Sequence, residues 1–94
     1  MDLHLNLKKE YFDEIKNGTK KIEYRLKNQY WNKRLKNKKF HKVYIKLGYP
    51  KSNQKEKILC FELIKIEEQK IRHKEFGNFP VEVYAIFLGN EISL

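Results

Sequence analysis

The 94-residue sequence contains one cysteine, Cys60, one tryptophan, two prolines and four glycines. A lone cysteine excludes an intramolecular disulfide and any cysteine-based zinc cluster, and it suits a reducing compartment. No apolar run follows Met1, where polar and apolar residues already alternate, so no secretory leader is expected. No stretch reaches the roughly 20 apolar residues that span a bilayer. Together these absences point to a cytoplasmic protein without a membrane partner. His4, His41 and His73 lie far apart and match no metal-ligand spacing, so neither a metal nor a cofactor is expected. Cys60 sits inside an apolar run and reads as a small core residue. The length suits one domain, residues 1–94, with one modest core.

Acidic residues are scarce as well. Twenty-one Lys and Arg oppose twelve Asp and Glu, a formal charge of +9. The excess is lopsided: residues 1–56 hold 16 basic against 6 acidic side chains, and residues 57–94 hold 5 against 6. A one-sided positive field suits a polyanion. A composition generally rich in lysine and asparagine is the alternative source of the charge.

Aromatic residues are plentiful, with six Phe and six Tyr beside the one Trp. Large rings let a small core bury much area. Leu3, Leu5 and Leu7 alternate with polar residues and predict a half-buried strand. Residues 8–17 predict a helix with Tyr11, Phe12 and Ile15 on one face, stopped at Asn17-Gly18. Lys20–Leu26 reads as a strand, with Ile22, Tyr24 and Leu26 on one side and Lys21, Glu23 and Arg25 on the other. Asn28 caps a short predicted helix over Gln29–Lys36.

Further strands are expected at His41–Leu47, Lys57–Ile66 and Val81–Leu88, the last closed by Gly89-Asn90. A sixth, at Gln69–Arg72, is ambiguous. No glycine-rich phosphate loop follows the first strand. Five or six short strands with two early helices suit an α+β fold, a small bent β-barrel rather than a parallel α/β layer.

The densest polar segment is Gly18-Thr19-Lys20-Lys21-Ile22-Glu23-Tyr24-Arg25. Arg25 offers planar, bidentate recognition of phosphate or a base edge. Glu23 is suited to accept from an exocyclic amine or to act as general base. Lys20 and Lys21 add positive charge at the turn. An exposed strand face with a surface ion pair is the plainer alternative.

Downstream, Tyr30, Trp31, Lys33, Arg34, Lys36, Lys38, Lys39 and Phe40 interleave rings and cations. Such mixtures bind single strands, with stacking worth ~1–3 kcal/mol per base. Trp31 and Leu35 also share a helix face and can simply anchor that helix on the core. Tyr30 and Arg34 are the better ligand candidates, although Arg34 is equally suited to pair with Glu23. Tyr49 and Lys51 lie in the Gly48–Asn53 loop, a binding loop or a plain connection.

Gly18, Lys20, Glu23 and Arg25 spell G-x-K-x-x-E-x-R. This segment resembles the signature of the ASCH domain family, whose members are PUA-like β-barrels. The Tyr30-Trp31-Asn32-Lys33-Arg34-Leu35 segment, the Gly48-Tyr49 loop and the strand from Val83 to Gly89 are similar too. The resemblance implies a barrel of five or six strands with two helices packed on it. It also implies a cleft lined by the signature that binds RNA or a modified nucleotide. Some members are amidohydrolases that remove an acyl group from N4-acetylcytidine, and others are reported as ribonucleases. Lys20 matches the lysine of the amidohydrolases, whereas Glu23 stands where they carry a threonine nucleophile. The enzymatic alternative therefore rests on Lys20 and Glu23. The binding alternative rests on Lys20, Lys21, Glu23, Arg25, Tyr30, Arg34, Tyr49 and Lys51.

Overall fold

The computed structural model describes residues 1–94, the side chain of Glu75 excepted. Strand β1 (Asp2–Leu7) turns Leu3, Leu5 and Leu7 into the core. Helix α1 (Lys9–Lys16) packs Phe12 and Ile15 against them. The helix ends in a Schellman turn. Gly18 N–H donates to the Ile15 carbonyl, Thr19 N–H donates to the Glu14 carbonyl, and Gly18 takes a φ of +85°. Only glycine adopts that conformation without a Cβ penalty. The turn reverses the chain and delivers Lys20 to the start of β2 (Ile22–Leu26).

Helix α2 (Gln29–Leu35) begins as the sequence predicts: Asn28 Oδ1 accepts from Trp31 N–H at 2.9 Å. Leu35 is buried and Trp31 packs against the core, so both anchor the helix. Asn32 ties the same helix to the sheet by accepting from the Tyr84 hydroxyl. Three strands complete the chain: β3 (Lys42–Leu47), β4 (Ile58–Ile71) and β5 (Val81–Ile92).

The five strands form one sheet in the order β1-β3-β4-β5-β2. Only β1 and β3 run parallel, with Leu3 beside Val43 and Leu5 beside Ile45. The expected barrel does not form. Strands β1 and β2 are the two ends of the sheet, and no ladder joins them among the described residues. Closure requires the two backbones to lie roughly 4.8 Å apart. Instead the Arg25 side chain spans the seam, donating from Nη2 to the Asn6 carbonyl at 3.1 Å.

The sixth strand is absent for a different reason. Residues 69–71 continue β4, paired with β5 out to Ile71–Val81. Register shifts between Phe61 and Lys65 break the alternation that would have revealed one long strand. Likewise β5 does not end at Gly89-Asn90. It runs to Ile92, and Gly89 lies where a Cβ would meet Glu62 Cβ and Ile64 Cγ1 at 3.2 Å.

Candidate functional site

Side chains directly opposite on antiparallel strands share a face. Glu23 lies opposite Ile86, and Arg25 lies opposite Tyr84. Ile86 and Tyr84 belong to the core. The polar side of β2 therefore faces inward, and the exposed-face alternative is not what is observed. Glu23 is 5% exposed, the one buried charged residue among those described.

Both of its oxygens are engaged. Oε1 accepts from Lys20 Nζ at 2.7 Å, and Oε2 accepts from Arg25 Nη2 at 2.7 Å. A buried carboxylate with two cations repays part of its desolvation, and removing it would strand both partners. Rings complete the arrangement. Lys20 Nζ lies 4.6 Å from the centre of the Tyr11 ring, and the Arg25 guanidinium lies 5.1 Å from that of Trp31. The Arg25 Nε is buried and has no partner among the described residues.

Three adjoining cavities follow the seam. The first, of about 390 Å³, is lined by Arg25, Tyr30, Trp31, Arg34, Tyr49 and the β1 edge, among others. It shares Asn6, Arg25 and Trp31 with a second of about 290 Å³, which also contains Glu23. The second shares Tyr11 and Tyr24 with a third of about 440 Å³, lined in part by Lys20 and Lys21. Taken together as a groove, the three draw on the cluster in turn: Arg25 lines the first, Glu23 and Arg25 the second, and Lys20 the third.

The sequence-derived candidates distribute along this groove unevenly. Arg25, Tyr30, Arg34 and Tyr49 come together in the first cavity. Tyr30 is 54% exposed and Tyr49 is 92% exposed. Lys21 is exposed at the far end. Lys51 lines none of the three cavities; its N–H donates to Gln54 Oε1 within the loop.

Arg34 does not pair with Glu23. It lies 3.4 Å from the centre of the Tyr30 ring and donates to the Tyr30 carbonyl at 3.1 Å. Tyr30 is one helical turn away, and the nearer Lys20 and Arg25 already occupy the Glu23 carboxylate. Phe40, from the stretch of interleaved rings and cations, lines the groove as well, as do Asn6 and Tyr11, to which sequence reasoning gave no ligand role. Tyr11 reads as part of the apolar stripe of α1, and Asn6 carries no local signal.

Cys60 is 1% exposed, and burial pushes its thiol up, away from a reactive thiolate. His4 stacks on Tyr44 at 4.8 Å, whereas His73 lies near Tyr24 and Phe76. No group of three metal-ligating side chains gathers among the described residues. No helix among them is long and apolar enough to cross a membrane.

The fold is an α+β one, five strands in one open sheet with two helices, and it carries the Lys20–Glu23–Arg25 cluster at the seam. The ASCH domain family model matches residues 5–84, and the chain belongs to that family. No curated protein and no solved structure matches the chain.

Proposed function

We propose that this chain is a one-domain cytoplasmic protein that binds RNA or a modified nucleotide in the seam groove. The observation that carries the reading is the buried Glu23 carboxylate holding Lys20 and Arg25 at 2.7 Å each beneath the groove. A cation fixed by an internal carboxylate is pre-organised, so binding an anion costs little side-chain ordering. Arg25, its Nη2 taken by Glu23 and Asn6 and its Nε buried, offers Nη1 to a phosphate or base edge. Tyr30, Trp31 and Tyr49 supply stacking surfaces beside it, with Arg34 as a further cation. Lys21 extends the positive surface past the other end, and Lys51 adds charge near the Tyr49 loop. The charge of +9 favours a polyanion over a neutral ligand.

The contact between Lys20 and Glu23 favours a second reading, an amidohydrolase or ribonuclease using that pair. In this arrangement Glu23 is fully engaged by cations, so it positions Lys20 and Arg25 rather than standing free as a base. Binding is therefore the leading reading.

The test is a titration with short single-stranded RNA, cytidine and N4-acetylcytidine, following acetate release and RNA length in the same samples. Wild type is compared with Lys20→Ala and Arg25→Ala. The expected outcome is salt-sensitive RNA binding that weakens in both variants, without cleavage or acetate. Turnover that disappears in Lys20→Ala would establish the enzyme instead. If wild type neither binds nor turns over any of the three ligands, both readings fail.

A further inference from the structure

Strand β1 is an end of the sheet, and its outer edge lines the first cavity. In a parallel pair, alternate residues turn both backbone groups toward the partner strand. The Leu7 carbonyl accepts from Gly48 N–H at 2.9 Å, so the odd-numbered residues of β1 face β3. Asp2, His4 and Asn6 therefore turn their N–H and C=O groups the other way, over the cavity. The Asn6 carbonyl bears this out, since Arg25 takes it from that side. For the N–H and C=O of Asp2 and His4, no backbone partner lies on that side among the described residues.

We propose that this short free edge reads one unpaired nucleobase, the His4 N–H and C=O hydrogen-bonding the polar edge of a base lodged in the first cavity. The inference rests on the nucleic-acid reading above and assigns it a base subsite. A donor and an acceptor side by side match the adjacent donor and acceptor on the edge of an unpaired base. The cavity, about 390 Å³, lies at the small end of ligand sites. Tyr30, Trp31, Phe40 and Tyr49 give it rings, and Arg25, Arg34 and Lys38 give it charge for the flanking phosphates.

A peptide strand is the other ligand that uses a sheet edge. It would need an extended row of free groups, and Arg25 closes this row at Asn6. Two residues suffice for a flat ring but not for a strand, and the cations disfavour a neutral peptide.

The experiment is amide-proton exchange by NMR on the wild-type chain, with a short oligoadenylate and an abasic chain of equal length and charge. The Asp2 and His4 amides should exchange more slowly with the oligoadenylate, which should bind on the order of tenfold tighter than the abasic chain. His4→Pro removes the N–H that faces away from β3, a place where an edge strand tolerates proline, and with it the ring stacked on Tyr44; His4→Ala, which loses the ring and keeps the N–H, is its control. His4→Pro should reduce the preference for the chain that carries bases, which His4→Ala should keep. If His4→Pro fails to fold, the exchange measurement decides alone.

Binding of both chains with equal affinity, or binding that leaves the His4 amide unchanged, would overturn the edge subsite while leaving nucleic-acid binding intact. Protection of these amides by an extended peptide but not by the oligoadenylate would also overturn it. If neither oligonucleotide binds, the nucleic-acid reading falls and the subsite falls with it.

Discussion

Glu23 on β2 is 6% exposed in its side chain, between Lys20 at 12% and Arg25 at 18%. On the β4–β5 hairpin, Glu67 and Glu68 also meet lysines, Lys65 and Lys27, but those carboxylates are about half exposed. The residue types are the same and the consequences differ. In the hairpin, water solvates whichever partner is left behind, so each pair is replaceable. At the seam, the carboxylate is the one counter-charge in direct contact with two largely enclosed cations among the described residues. The hairpin has a long ladder from Cys60–Ile92 to Ile71–Val81, with two register shifts, to hold it. Among the described residues the seam has no ladder, and the Arg25 side chain crosses it. Where backbone pairing fails, this fold places its polar cluster and its groove.

The largest expected effect tests that contrast directly. Glu23→Ala should destabilise the chain by about 3–5 kcal/mol, the cost of breaking a buried ionic cluster. Glu68→Gln should leave the unfolding midpoint almost unmoved. Urea unfolding of both variants measures the difference. Equal, small effects would mean that water already reaches the seam and that the cluster is not a structural element.

Much of the local structure was legible in the sequence because local chemistry decides it. Asn28 announces its helix through a short side chain able to accept from Trp31 N–H. Gly18 announces the end of α1 through its freedom at positive φ. Leu3, Leu5 and Leu7 announce a buried face through period-2 alternation.

The direction of Glu23 and Arg25 was not legible. Alternation on β2 separates two sets of side chains without saying which set is covered. β5 buries Val83 and Ala85 on one face as well as Tyr84 and Ile86 on the other, so either side of β2 lies beside buried neighbours. Signature residues could be grouped by spacing, but their enclosure depends on strand order. The open seam depends on it too: nothing local in Asp2–Leu7 says that the outer edge stays unpaired. The barrel expectation failed at that point.

A middle-sized effect belongs to the turn that delivers Lys20. Gly18 has φ +85° and open space where a Cβ would go. Gly18→Ala should therefore cost about 1 kcal/mol, purely from the left-handed backbone. If β2 is held in place by its pairing with β5, RNA affinity should survive with little change. A large loss of affinity at this small stability cost, read by parallel unfolding and binding titrations, would sharpen the contrast. The seam would then depend on its turn for the position of Lys20 and not on the sheet.

The smallest effect concerns His4, where the seam meets the outer face of β1. Its ring stacks on Tyr44 with an interplanar angle of 8°. Burial, and then the nearby Lys46, hold its imidazole below the usual histidine value, with Asp2 opposing them. The unfolded chain therefore takes up a proton here before the folded chain does. The stabilisation is fully present above the ordinary histidine pKa near 6.5 and is lost as pH falls from there through the lowered folded value. Stability should thus fall slightly as pH drops through that window in wild type, and the fall should be reduced in His4→Gln. Following the His4 ring protons by NMR while measuring urea midpoints across the same pH range checks both halves. A ring that titrates at or above its ordinary value would mean that the β1 edge is as open to water as the hairpin, and the contrast between the two regions would end at Glu23.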